Sequence, residues 1–203
     1  MWKTEIFATE NTKARGREVN TMARYLISDL HLGHETIIEY CDRPFADTEE
    51  MNQTLIENWN QTVDEDDIVF FLGDLGRFAD EAALKEWLAK LTGRIVFIEG
   101  NHDYPMKYVD GLNTHQYYVL EQGEWQLCCT HRPENAPRFW NGWIIHGHHH
   151  NNHPDEYPFI NPVEQRVNVS VELLDYRPLN LDTLIELLEE GRHYESRTEA
   201  EKR

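Results

Sequence analysis

Five apolar runs in this chain stop abruptly at polar clusters rich in Asp, His and Asn. Ala23-Arg-Tyr-Leu-Ile opens into Ser28-Asp29-Leu30-His31. Asp67-Ile-Val-Phe-Phe opens into Leu72-Gly73-Asp74, and Arg94-Ile-Val-Phe-Ile into Glu99-Gly100-Asn101-His102-Asp103. Trp125-Gln-Leu-Cys-Cys ends in Thr130-His131-Arg132, and Trp143-Ile-Ile in His146-Gly147-His148-His149-His150. Short continuous apolar runs of this kind read as buried strands. The first three are separated by two amphipathic segments. One starts at Asp47-Thr-Glu-Glu, a capping-box variant, and continues through Met51, Leu55, Ile56 and Trp59. The other runs from Asp80 through Leu84, Trp87, Leu88 and Leu91 to Gly93, read as its closing glycine. Strand, helix, strand, helix, strand is an α/β signature. A hairpin at Tyr117–Cys129 and a later strand at Val167-Asn-Val-Ser add antiparallel character. Leu181, Leu184, Ile185, Leu187 and Leu188 make a C-terminal helix.

In open α/β sheets the functional crevice lies beyond the carboxyl ends of the strands, where these clusters fall. In Asp29-x-His31 and His148-x-His150, alternation sends both side chains of each pair to one side of an extended segment. Asn101 offers a carbonyl oxygen, and imidazole with carboxylate suits zinc, iron or manganese. Each cluster has a plainer explanation by itself: Gly73-Asp74 is a turn signal, and residues 146–153 could be a His-rich loop. Gathered at one edge, so many polar groups would be costly to bury without partners. Two metal ions bridged by one carboxylate would satisfy them together.

Charge bears on the substrate. Nineteen basic residues against 37 acidic ones leave a net charge of −18, which repels nucleic acid and anionic membranes. Only 6 of those basic residues are Lys, a balance that fits a high-salt cytosol as well as an ordinary acidic protein. No run is long and apolar enough to span a membrane, and no basic start precedes an apolar stretch. Cys41, Cys128 and Cys129 form no disulfide framework and point to a reducing, cytoplasmic setting. Residues 1–22 read as a disordered N-terminal extension, 23–190 as one domain and 191–203 as a charged C-terminal tail.

The ordered set Asp29-x-His31, Gly73-Asp74, Gly100-Asn101-His102-Asp103, His131 and Gly147-His148-x-His150 resembles the calcineurin-like metallophosphoesterase superfamily. Ser28-Asp-Leu-His-Leu-Gly-His34, Cys41-Asp-Arg-Pro-Phe45 and Asn168-Val-Ser-Val-Glu172 resemble its small single-domain bacterial, archaeal and phage members. The resemblance implies a four-layer α/β/β/α sandwich of two mixed sheets with flanking helices, and a dinuclear metal site at the strand C-terminal edge. It places one divalent ion (manganese, iron, zinc or nickel) on Asp29, His31, Asp74 and His150. It places a second on Asp74, Asn101, His131 and His148, with Asp74 bridging. The implied activity is hydrolysis of a phosphodiester or phosphomonoester through a metal-bound hydroxide.

The resemblance also makes His102 the acid or a stabiliser of phosphoryl oxygens, with Asp103 orienting it. Arg43, Arg132 and His34 are the candidate substrate-binding residues, and Arg77 a further one. The substrate class is a small phosphate ester, nucleotide-like esters included, and two divalent ions outweigh the ligand carboxylates in the local field. Two other functions stay open. The family includes nucleases, which the net charge argues against, and non-catalytic scaffolds, which typically lack a ligand or the catalytic histidine.

Overall fold

The computed structural model describes residues 22–103 and 114–202. The expected extension at 1–22 lies outside the described residues except for Met22, whose thioether accepts a hydrogen bond from Arg94.

Two five-stranded mixed sheets form the centre. The first has the order β10-β1-β2-β3-β4, with β1 Arg24–Ile27, β2 Ile68–Phe71, β3 Arg94–Ile98, β4 Thr114–His115 and β10 Leu179–Asn180. Strands β1 to β4 are parallel, and β10 closes the edge antiparallel to β1. The second has the order β5-β6-β7-β9-β8, with β5 Tyr117–Gln122, β6 Trp125–Thr130, β7 Trp143–His146, β8 Ile160–Asn161 and β9 Arg166–Asn168. Here β6, β7 and β9 are parallel while β5 and β8 flank them antiparallel.

Central strand β2 is buried at all four positions, as a parallel strand covered on both faces must be. Its alternation assigns the faces. Phe70 meets Tyr118 of the second sheet at 5.2 Å between ring centroids, and Phe71 turns the other way toward Trp59 at 6.3 Å. Trp59 belongs to α2 (Thr48–Asn60), which packs Met51, Leu55 and Trp59 inward and is capped by Asp47. The expectation of two mixed sheets with flanking helices is met.

Four short elements are not legible in the sequence, and two boundaries differ from the sequence reading. Helix α1 (Thr36–Tyr40) and strands β4, β8 and β10 are too short to show a period. Helix α3 (Glu81–Leu88) stops before Leu91, so Gly93, at φ 93°, turns the chain into β3 instead of closing the helix. Residues 191–203, expected as a charged tail, are part of the domain as far as they are described. Gly191 ends α4 (Leu181–Glu190) in the left-handed region, Tyr194 pairs with Ile160, and α5 (Arg197–Glu201) buries Ala200. The buried faces of Tyr194 and Ala200 are two isolated residues in sequence, which a charge pattern hides. Among the described residues no helix is long and apolar enough to cross a membrane.

Candidate metal centre

The loops leaving β1 and β2 run side by side: Asp29 N donates to Gly73 O, His31 N to Asp74 O and Leu32 N to Leu75 O. Ser28 bridges to Ser170 and Gly147 N donates to His131 O, so the strand ends of both sheets meet at one place. The approach is close enough that Gly100 and Gly147 admit no side chain. A Cβ at Gly100 would strike the carboxylate of Asp74, and one at Gly147 would strike Ser28 Oγ and the carboxylate of Asp29. Asp29, His31, Asp74, His148 and His150 all have φ between 51° and 71°. Left-handed backbone at residues other than glycine costs on the order of 1–3 kcal/mol each and gathers at functional sites.

One ligand group is Asp29, His31 and His150, whose donor atoms lie within 4.8 Å of one another. Asp29 Oδ2 accepts from Ser28 Oγ at 2.6 Å, Ser170 Oγ at 2.9 Å and His148 N at 2.9 Å. That leaves Oδ1, buried and without a partner, 3.9 Å from His31 Nε2 and 3.8 Å from His150 Nε2. The second group is Asp74, His131 and His148. His131 Nδ1 donates to Leu72 O at 2.7 Å, and its Nε2 lies 3.0 Å from Asn101 Oδ1 and 3.4 Å from Asp74 Oδ2. Asp74 Oδ2 also lies 3.6 Å from His31 Nε2, so this one oxygen sits between the two groups. All seven residues expected to bind metal are thus brought together.

These residues fit divalent cations. An ion bound at about 2.0–2.2 Å leaves neighbouring ligand atoms roughly 3–4 Å apart, the spacing observed. His31 Nε2 joins Asp29 Oδ1 as a buried atom with no hydrogen bond. The local field also favours positive charge. Burial opposes protonation of His131 and His150, yet Asp74 with Asp29 holds the first up at about 9, and Asp29 with Glu172 holds the second up at about 11. His31, where burial dominates, is pushed down to about 4 and keeps a free lone pair.

The other predicted residues divide. His102 is half-exposed at the rim. Its backbone N–H donates to Asp74 Oδ1 at 2.9 Å and its Nε2 stands 4.0 Å from Asp74 Oδ2. Asp103 does not orient it. Buried Asp103 accepts from the backbone N–H groups of Asp74, Leu75 and Gly100, clamping the β2 and β3 loops together. Burial and the nearby Asp74 push its pKa up to about 6. Arg43 is also a correction. Its guanidinium is fully buried and donates twice to Glu172 and once each to the carbonyls of Asp29 and Leu30 and to Met51 Sδ, so none of its five donors remains for a phosphate. His34 and Arg77 line a cleft of about 650 Å³ with His31, His102, His148 and His150. Arg132 lies in a smaller recess of about 300 Å³ beside Asn101 and His131. His149 turns away and stacks on Tyr157 at 3.4 Å.

Sequence reasoning gave no role to Glu172, Asn168 or Ser170. Glu172 Oε1 accepts from His150 Nδ1 at 2.9 Å, Ser170 supports Asp29, and Asn168 binds His150 O. The signal available was the run Asn168-Val-Ser-Val-Glu172, whose alternating polar residues start at the end of β9.

A two-sheet α/β scaffold with a His/Asp/Asn cradle at its strand ends defines a metallophosphoesterase-type domain. The calcineurin-like phosphoesterase family model matches residues 22–187, and the chain belongs to that family. It is 48% identical over 170 residues to an uncharacterized protein of Methanocaldococcus jannaschii, spanning 83% of this chain and 92% of that protein. It is 37% identical over 84 residues to the gene 66 protein of Mycobacterium phage L5, 40% of each chain. The crystal structure of a protein of unknown function from Aquifex aeolicus superposes with a TM-score of 0.60 at 21% identity, covering 82% of this chain and 99% of that one. That likeness is one of fold.

Proposed function

We propose that this protein hydrolyses small phosphate esters with two divalent ions, one on Asp29, His31, Asp74 and His150 and the other on Asp74, Asn101, His131 and His148. The observation that carries the reading is the position of Asp74 Oδ2, 3.6 Å from His31 Nε2 and 3.4 Å from His131 Nε2. A single oxygen between two ligand groups is what a bridged pair needs. When bound, the ions supply positive charge to the phosphoryl oxygens and lower the pKa of a water.

The chain's own residues do the rest. His102, half-exposed at the mouth of the cleft, gives a proton to the departing oxygen. Asp103 holds the loop from which His102 projects, so its part is positional. Arg132 and Arg77 supply guanidinium donors for phosphate oxygens, and His34 lines the cleft beside Arg77. Ile37 and Tyr40 of α1 give the cleft an apolar side for the organic part of the ester, a nucleobase among the candidates. The net charge of −18 favours a small ester over a long nucleic acid, and three buried, unpaired cysteines suit a cytoplasmic setting.

The test is one screen. Protein loaded with manganese, nickel, zinc or magnesium is offered bis-p-nitrophenyl phosphate, p-nitrophenyl phosphate, cyclic nucleotides, dinucleotides and single- and double-stranded DNA, with Asp74→Ala as the blank. Turnover of a small ester that the blank lacks supports the reading. DNA cleavage alone would replace it with nuclease activity, and inactivity throughout would favour a scaffold.

A further inference from the structure

Arg43 and Glu172 are 129 residues apart in sequence, yet their side chains meet with 0% and 1% exposure. Arg43 donates twice to Glu172 Oε1, from Nε at 3.0 Å and Nη2 at 2.7 Å. Burying such a pair costs desolvation that mutual attraction alone often does not recover. What distinguishes this pair from simple cross-bracing is where its remaining bonds go. Glu172 Oε1 accepts from His150 Nδ1 at 2.9 Å. Arg43 Nη2 donates to Asp29 O at 2.8 Å, and Nη1 to Leu30 O at 2.9 Å and to Met51 Sδ at 3.3 Å. Each partner therefore holds a member of one ligand group, Glu172 the ring of His150 and Arg43 the carbonyl of Asp29. Among the described residues, their hydrogen bonds and ion pairs reach none of Asp74, Asn101, His131 or His148.

We propose that Arg43 and Glu172 are positioning residues for the metal held by Asp29, His31 and His150; this rests on the metal-binding reading above. By accepting a hydrogen bond from Nδ1, the Glu172 carboxylate orients His150 so that Nε2, the atom that would bind the metal, faces Asp29 Oδ1 3.8 Å away. The guanidinium grips the carbonyl of Asp29, the residue at φ 60°, and so holds the left-handed turn that aims its carboxylate. One ion pair sets the direction of two ligands. The second group is braced differently: the Leu72 carbonyl orients His131, and the Asp103 carboxylate holds the backbone of Asp74.

The experiment titrates metal-free protein with manganese(II) by calorimetry. The variants are Glu172→Gln and the double variant Arg43→Met/Glu172→Leu, which removes both charges together and so leaves none buried alone. Circular dichroism confirms folding, and Glu172→Gln decides by itself if the double variant does not fold. Wild-type protein should bind two ions. In the double variant one step should weaken by about 10- to 100-fold and the other stay unchanged. The weakened step should match the one lost in His150→Ala and not the one lost in His148→Ala. Glu172→Gln should show a smaller loss at the same step. Unchanged affinity in the folded variants, or equal weakening of both steps, overturns the positioning role while leaving the metal centre standing. Wild-type protein that binds no manganese removes the metal centre itself, and this proposal with it.

Discussion

The two candidate ligand groups meet at Asp74 but are built differently. The Asp29–His31–His150 group is sealed: its side chains are nearly inaccessible, and serine hydroxyls, Asn168 and the Arg43–Glu172 pair stand behind it. The other group opens outward. His148 is only partly buried, Asn101 and His102 are exposed, and its support comes from the Leu72 carbonyl and the Asp103 clamp on the loops. A sealed group is suited to hold an ion in fixed geometry, and an open one to admit and release an ester. The division also shows where stability and turnover should separate. Changes behind the sealed half should register first in folding and metal retention, and changes around the open half first in turnover.

Asp74→Ala removes what the halves share and has the largest expected effect. Losing several kcal/mol of charge stabilisation corresponds to about a 10³-fold fall in turnover. Metal content should fall to less than one ion per chain. A variant that keeps two ions would separate the halves completely. His102→Ala touches only the open half. Turnover with a poor leaving group should drop about 10²-fold or more with metal content unchanged, and p-nitrophenyl esters, which need little protonation, should suffer less. Equal losses for both leaving groups would move His102 from acid to electrostatic support.

Gly147→Ala strikes the sealed half by forcing a methyl group against Ser28 and Asp29. A destabilisation of about 1–3 kcal/mol is expected, read as a fall of roughly 2–10 °C in melting temperature. An unchanged melting curve would mean that the Asp29 turn yields easily. Arg132→Ala should have the smallest effect. An exposed guanidinium contributes about 1 kcal/mol to binding an anion, so KM should rise about 5-fold with kcat and melting temperature retained. A lower kcat would instead place Arg132 on the reacting phosphoryl group.

Much of the site was legible because strand ends concentrate it. Asp29, His31, Asp74, Asn101, His131, His148 and His150 follow apolar runs directly, so knowing where strands stop is enough to bring them together. Arg43 was misread for a physical reason: a cation in a loop looks the same in sequence whether it faces solvent or a carboxylate 129 positions away. Asp103 was misread because its three acceptor contacts are to backbone N–H groups, which carry no residue signature. The central parallel strands showed as continuous apolar runs and α2 by its helical period. Two-residue β4, β8 and β10 could not, and α5 joins the core through Ala200 alone of its five residues.

The central claim is that two ions share Asp74. Anomalous diffraction from crystals grown with manganese(II) tests it directly. Two peaks are expected, one among Asp29, His31 and His150 and one among Asn101, His131 and His148, each in contact with Asp74. Crystals of a folded protein with no peak at these residues, or with one ion that Asp74 does not touch, would contradict it.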